Sequence, residues 1–237
     1  MQKKTILTKS GLLIAIEGID GSGKSTFASG LTERLRNFLD SDTLTKKQKI
    51  TLTKEPAIIL TKEPGGTELG KQLRKILQQQ TTPLNPKAEF LLFAADRAQH
   101  FQDVVIPALK KNHIVISDRM HISSLVYQGY GRGLDLNLLT TINNWAMDCY
   151  APDILFYLKI DLDTAKQRIV TRNKKLTSFE KEKESFMQAL ITGFDDLLTN
   201  NPPINNSCCL VLDGTLDQHT LITQAIEKIM PILLNKK

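Results

Sequence analysis

Gly18-Ile19-Asp20-Gly21-Ser22-Gly23-Lys24-Ser25 decides how this chain is read: two glycines with four residues between them lead straight into a lysine and a hydroxyl. Before it stands Leu12-Leu13-Ile14-Ala15-Ile16, a short apolar run rich in branched side chains that suits a buried strand. After it, Phe27, Leu31, Leu35 and Phe38 recur every three or four residues between Thr26 and Leu39, which marks one face of a helix. Glycines between a strand and a helix let the backbone turn tightly and aim successive N–H groups inward. The helix adds its positive N-terminal end, so a multiply charged phosphate is stabilised there without bulk water. Lys24 then reaches the β- and γ-phosphates of a nucleoside triphosphate, and the Ser25 hydroxyl ligates Mg²⁺. A surface turn that matched this pattern by accident would need neither the strand before it nor the helix behind it.

A length of 237 residues fits one α/β domain over 1–237 better than two very small ones, and is enough to bury a sizeable core. The charge balance is +6, which suits nucleic acid or small phosphorylated substrates. No run of five or six basic residues occurs and aromatics make up only 6%, so a stacking platform for single strands is not supported and nucleic acid is not the expected partner. Cys149, Cys208 and Cys209 have no zinc-like spacing, and the adjacent pair lies in an apolar run; reduced core thiols of a cytoplasmic protein are expected. The first apolar run is too short for a signal peptide and is interrupted by Glu17, and no later segment nears the ~20 apolar residues of a membrane span. A soluble chain without a membrane partner is therefore expected.

Leu52-Thr53-Lys54-Glu55-Pro56 recurs as Leu60-Thr61-Lys62-Glu63-Pro64, and only the second copy continues into Gly65-Gly66-Thr67. The functional strand end is therefore expected at Ile58 to Lys62, with 40–60 as an insertion whose first copy is either extra linker or an alternative edge strand. Leu69, Leu73, Ile76 and Leu77 make a helical stripe over 67–79. A long helix is predicted from Pro86, a first-turn proline after Asn85, bent or divided at Pro107. His113 to Ser117 reads as a strand ending at Asp118-Arg119, which puts the acidic residue at a strand's carboxyl end, where open α/β sheets place ligands. Gly129, Gly131 and Gly133 mark a loop, and Leu138 to Met147 a helix with Trp145 packed beneath it. A strand at Ile154 to Ile160, a helix at Asp163 to Arg172, a polar loop at 173–180 and a helix lined by Phe186, Leu190, Phe194, Leu197 and Leu198 follow. A strand at Cys208 to Leu212 and a helix at Leu216 to Leu234 complete the chain. Strands that alternate with helices throughout argue for a mostly parallel sheet covered on both faces, with right-handed crossovers.

Taken in order, the loop from Gly18 to Ser25, Glu63-Pro64-Gly65-Gly66-Thr67, Phe93-Ala94-Ala95-Asp96-Arg97, Asp118-Arg119, Ser123-Ser124-Leu125-Val126-Tyr127-Gln128-Gly129, Gly131-Arg132-Gly133 and Asp213-Gly214 resemble the thymidylate kinase family over nearly the whole chain. The resemblance implies a three-layer P-loop kinase fold, with a five-stranded, mostly parallel sheet between helices. It implies transfer of the ATP γ-phosphoryl group to dTMP with Mg²⁺, usually by a homodimer. Gly18, Ile19, Asp20, Gly21, Ser22, Gly23, Lys24, Ser25 and Thr26 would hold ATP, and Ser25 and Asp118 the metal, Asp118 directly or through water. Arg97 and Arg119 would meet the acceptor phosphate, where a planar guanidinium outperforms a point charge. Phe93 would stack on the base, with Ser124 and Gln128 at its edge and Ser123 nearby; Arg97 could serve base and phosphate together. Tyr127 would crowd the sugar's 2′ position, and Asp20 and Glu63 would lie near the sugar and the metal. Catalytic roles then fall to Lys24, Asp20, Arg119 and a cation from a mobile lid at 172–181. The family's other arrangement carries an arginine inside the phosphate loop, where this chain has Gly21, so Arg168, Arg172, Lys174 or Lys175 must supply that charge. Arg172 is the leading candidate, although Thr177-Ser178 stands where the family's lid usually carries Asp-Arg.

The rival readings are another nucleoside monophosphate kinase, a deoxynucleoside kinase whose hydroxyl acceptor would favour a carboxylate base, and a nucleotide switch. The last would need switch segments and, for GTP, an Asn-Lys-x-Asp motif, which the sequence lacks.

Overall fold

Strands β1 (Leu12–Glu17), β2 (Ile58–Lys62), β3 (Ile114–Asp118), β4 (Ile154–Lys159) and β5 (Cys208–Asp213) form one sheet in the order β2-β3-β1-β4-β5, with every pairing parallel. The computed structural model describes residues 11–40, 57–79, 82–172, 176–200 and 208–235. All six residues of β1 are buried because it is the central strand. Its alternate side chains feed two separate cores: Leu13 and Ala15 pack with Val115, Leu155 and Tyr157 on one face, while Leu12, Ile14 and Ile16 pack with Ile116, Phe156 and Leu158 on the other. A strand buried on both faces is why the sequence shows a continuous apolar run there instead of alternation.

The second face is covered by α1 (Lys24–Asp40), through Phe27, Leu31 and Leu35, and by the terminal helix Gln218–Asn235, through Leu221, Ala225 and Ile229. The first is covered by the elements between β2 and β5. Helix α2 (Glu68–Gln78) is capped by Thr67, whose Oγ1 accepts from Gly70 N at 3.0 Å. Helix α3 (Pro86–His100) starts on Asn85, whose side chain accepts from Lys87 N. It passes through a wide π-helical stretch at Phe101–Val105 into α4 (Ile106–Lys110), so the division expected near Pro107 is present, with the proline in the new helix's first turn. Then follow α5 (His121–Ser124), continued by a π-helical stretch Leu125–Gly131, α6 (Leu136–Ala146), α7 (Leu162–Thr171) and α8 (Glu184–Asp195), before the terminal helix α9. Among the described residues no helix is long and apolar enough to cross a membrane.

Several expectations need correction. Trp145 is not packed beneath α6 but is 78% exposed, because the inner side of that helix is taken by Leu139, Asn143 and Ala146. Cys149, in the turn after α6, and Cys208 are exposed, while Cys209 is only half-buried against the core because β5 is an edge strand; none of the three is a fully buried thiol. On α2, Leu69 and Ile76 face solvent, and the buried stripe is Gly70, Leu73 and Leu77. Gly129 and Gly131 lie inside the π-helical stretch and not in a loop. β2 spans Ile58–Lys62 as expected; the first copy of the repeated motif, in the segment expected as an insertion, lies outside the described residues.

Candidate active site

The carboxyl ends of β1, β2 and β3 deliver Glu17, Glu63 and Asp118–Arg119 to one edge of the sheet, beside the start of α1. The loop after β1 turns through Gly18, Gly21 and Gly23, at φ of 146°, 85° and 88°, a region where a side chain is strained. Gly21 also lies hard against α7: a Cβ there would meet Ala165 O at 2.7 Å. The Lys24 side chain folds back over the cup, with Nζ donating to Ile19 O at 2.6 Å and, more weakly, to Ser22 Oγ at 3.4 Å. Burial, helped by the Arg119 charge, pulls the Lys24 ammonium down to about 8 despite Asp20, Asp118 and Glu17. Further negative charge in the cup would favour the protonated ammonium.

Ser25 Oγ donates to Asp118 Oδ2 at 2.5 Å, so a hydroxyl and a carboxylate from different elements stand side by side at the mouth of the cup. Two hard oxygen donors in contact, next to a phosphate cradle, fit Mg²⁺, which keeps several waters and takes few protein ligands. A dedicated cage of three or more His, Cys, Asp or Glu side chains is absent among the described residues.

Arg119 is the hub between the cup and what faces it. Its backbone is left-handed, at φ 72°. Its Nη1 donates to Gly18 O and Ser123 Oγ, both at 3.0 Å, and its Nη2 to Asp20 Oδ1 at 2.6 Å and Tyr127 Oη at 3.0 Å. The guanidinium also lies over the Tyr127 ring, 5.0 Å from its centroid. Burial opposes its charge, yet Tyr127, Asp20, Asp118 and Glu17 hold it firmly protonated. Burial alone would raise the Asp20 carboxyl, but Arg119 and Lys24 outweigh it and keep it below the ordinary range. Tyr127 Oη donates on to Asp20 Oδ2 at 3.1 Å. Glu17, fully buried, accepts from Met120 N, Ser123 N and Ser123 Oγ, and burial pushes its carboxyl up to about 7.

The second group of predicted residues sits deeper. Arg97, 1% exposed, donates to Glu63 Oε2 at 2.8 Å, Ser124 Oγ at 3.1 Å, Asn143 Oδ1 at 2.5 Å and Met120 O at 3.2 Å. Glu63 turns its other oxygen to His100 Nδ1 at 3.0 Å, and His100 Nε2 meets Thr61 Oγ1 at 2.7 Å. Burial would raise the Glu63 carboxyl, but Arg97 and His100 more than offset it. Both carboxylate oxygens of Glu63 thus hold the wall of the site together. Asp96 Oδ1 accepts from Gly65 N at 3.0 Å, anchoring the turn that follows β2, and burial beside Glu63 raises its carboxyl to about 6.

One cavity of about 570 Å³ joins all of this. Its lining takes in Lys24, Ser25 and Asp118 at one end, Arg119 and Tyr127 between, and Phe93, Arg97, Ser124 and Gln128 at the other. Phe93 and Phe179, both lining it, are in tilted contact with ring centroids 6.0 Å apart. The segment expected to act as a lid borders the same space: Arg172 and Glu180 line it, and Arg172 Nη2 is paired with Glu180 Oε1 at 2.7 Å. Arg168 donates to Gly214 O at 2.8 Å. Lys174 and Lys175 lie outside the described residues.

Sequence reasoning missed Arg74. It stands on α2 outside the apolar stripe, yet it lines the cavity, with Nη1 bonded to Pro64 O at 2.8 Å, and burial lowers its guanidinium in a field shared with Asp118, Arg119, Asp20 and Asp96. The available signal was its spacing from Gly70 and Leu77, both buried on the inward side of the helix. His100 and Asn143, which brace Glu63 and Arg97, were also missed; each stands on a helix face that periodicity assigns to apolar residues.

A glycine-lined anion cup facing an arginine-bearing pocket across a single cleft, on a parallel sheet of this order, defines a P-loop nucleotide kinase. The thymidylate kinase family model matches residues 16–207. A thymidylate kinase of Halothermothrix orenii is 44% identical over 158 residues, covering 67% of this chain and 69% of that protein. One of Kosmotoga olearia is 33% identical over 220 residues, covering 92% and 95%. The crystal structure of thymidylate kinase from Ehrlichia chaffeensis superposes with a TM-score of 0.66 at 30% identity, covering 93% of this chain and 98% of that one. The chain belongs to the thymidylate kinase family.

Proposed function

We propose that this chain transfers the γ-phosphoryl group of ATP to the 5′-phosphate of dTMP, giving dTDP and ADP. The observation that carries this reading is the continuity of the cavity from Lys24 to Gln128, which lets two phosphates meet and leaves an aromatic, hydrogen-bonding wall for a base. The loop amides and Lys24 grip the β- and γ-phosphates. An oxygen of the dTMP phosphate attacks the γ-phosphorus as the bond to the β,γ-bridging oxygen breaks. The attacking phosphate is already anionic, so no base has to remove a proton, and alignment with cationic support supplies the acceleration. Ser25 and Asp118 would hold Mg²⁺, which supplies charge neutralisation at the phosphates.

Arg119 and Arg74 serve the acceptor phosphate, and Asp20 keeps the Arg119 guanidinium at that junction. Arg97, whose N–H groups go mainly to Glu63, Ser124, Asn143 and Met120, belongs to the base end instead. Phe93 stacks on the pyrimidine, with Ser124 and Gln128 at its edge. Tyr127, tied to Asp20 and Arg119, crowds the 2′ position and favours deoxyribose. Arg172 leaves Glu180 for the migrating phosphoryl group when the lid at 172–181 closes.

The whole chain acts as one kinase domain, with an insertion ahead of Ile58. It works in the cytoplasm, a reading supported by three free thiols. It pairs with a second copy through the outer side of α3 and α6, a reading supported by the exposed Leu91, Leu138 and Trp145 on those two packed helices. The test is a panel of nucleoside monophosphates with ATP and Mg²⁺: dTMP should turn over faster than UMP or CMP, and thymidine should be inert. Equal turnover of UMP would overturn the acceptor assignment.

A further inference from the structure

We propose that Glu89 fixes which end of the Gln128 amide faces the acceptor base, and so makes the pocket choose a pyrimidine with an N–H at ring position 3 over one with a bare nitrogen there. This rests on the reading of the cavity as a dTMP site. Gln128 is 1% exposed and lines the cavity. Its Nε2 donates to Glu89 Oε1 at 2.9 Å. Glu89 is itself 2% exposed, and Arg132 grips its carboxylate from the far side, Nε to Oε1 at 3.2 Å and Nη2 to Oε2 at 3.1 Å.

An amide side chain has a donor end and an acceptor end of nearly the same shape, so its orientation is set by its neighbours. A carboxylate held by two guanidinium N–H groups offers only acceptors, so the NH₂ end must face Glu89. The oxygen Oε1, which has no hydrogen-bond partner among the described residues, is the end left for an occupant. Thymine and uracil carry a hydrogen at N3 and donate to such an oxygen. Cytosine carries a lone pair at N3, and two buried acceptors would face each other with water excluded, the type of mismatch that discriminates most strongly.

The clamp is rigid for a further reason. Arg132 also pairs with Glu182 at 2.7 Å and lies over the Phe186 ring at 4.5 Å and the Phe179 ring at 5.9 Å, so the segment 179–186 holds it in addition to Glu89 on α3. Glu89 touches no reacting atom; it is a positioning residue acting through Gln128.

Glu89→Gln tests this because it keeps the shape and removes the acceptor-only constraint, leaving the amide at position 128 free to turn. The ratio of kcat/KM for dTMP to that for dCMP should fall ~10-fold or more, mainly through a higher KM for dTMP. The dTMP to dUMP ratio should stay within ~2-fold, because both bases carry the N3 hydrogen. An unchanged dTMP to dCMP ratio, even with all rates lowered, would show a structural prop only and overturn the proposal. Should the variant not fold, ¹⁵N-glutamine-labelled wild-type protein gives the answer: the Gln128 NH₂ pair should be protected from solvent exchange, and rapid exchange of both protons would overturn the proposal. A wild-type enzyme without preference for dTMP over dCMP would refute the acceptor reading itself. A wild-type preference that survives Glu89→Gln would remove only the role of Glu89.

Discussion

Replacing Arg119 by alanine separates charge from backbone at the junction of the two phosphate pockets proposed above. The residue sits at φ 72°, where alanine is as strained as arginine, so Arg119→Ala leaves the backbone term nearly constant and removes the guanidinium alone. That guanidinium makes four hydrogen bonds, the shortest being 2.6 Å to Asp20, within a pair whose side chains are 16% and 25% exposed. Breaking such a partly buried pair should lower stability by about 2 kcal/mol, below the range for fully buried pairs. The kinetic loss should be larger. A preorganised donor aimed at developing charge is worth ~10²–10³ in kcat, and kcat at saturating ATP and dTMP should fall by that factor. Arg119→Gly supplies the control, since glycine accepts the left-handed backbone and should recover up to about 1 kcal/mol of stability without recovering rate. Arg119 also helps to pull Lys24 down to about 8, so the alkaline limb of kcat/KM for ATP should move to higher pH in both variants. A coupled ADP-release assay with thermal melts of all three proteins reads every quantity. A kcat within ~3-fold of wild type in Arg119→Ala would refute the reasoning, because the role proposed for Arg119 at the acceptor phosphate requires a larger loss.

Glu17 has a folded-state carboxyl raised from 4.5 to about 7 by burial, so its contribution is fully present below the unfolded value and is lost as pH rises toward 7. Glu17→Gln should therefore gain stability relative to wild type between pH 4.5 and 7, by up to about 3 kcal/mol, and paired melting curves that run parallel across that window would count against it. Gly70→Ala brings a Cβ to 2.2 Å from Asp96 Oδ1, which must then leave Gly65 N. Despite the better helix propensity of alanine, a loss of about 1–3 kcal/mol and a raised KM for dTMP are expected, and an unchanged melting temperature would show that Asp96 moves freely. Arg172→Ala should lower kcat with little change in dTMP binding; an unaltered kcat transfers the role to Arg168 or to the lysines at 174 and 175.

How much of this was legible in the sequence depends on what each signal measures. The phosphate loop, β2 at Ile58–Lys62 and the placement of Asp118-Arg119 at a strand's carboxyl end were readable from local spacing and the carboxyl-end rule for parallel sheets, whereas Ser124 and Gln128, which line the same cavity, were marked only by the family resemblance. Hydrophobic periodicity, by contrast, reports which positions are apolar and not what lies opposite them. On α6 the rule fails outright: Asn143 is buried because Arg97 needs an acceptor 2.5 Å away, and Trp145 is left outside. The same failure hid Arg74 and Glu89, two charged residues on inward helix faces, one lining the cavity and the other buried against Gln128 and Arg132. A substrate pocket is the one part of an interior that must stay polar, so the helices facing it carry charges where apolar residues would otherwise stand. The charged residues that break a helix's inward stripe are therefore where the specificity of such an enzyme is to be sought, and Glu89, hydrogen-bonded to the Gln128 proposed to read the base, is the sharpest instance in this chain.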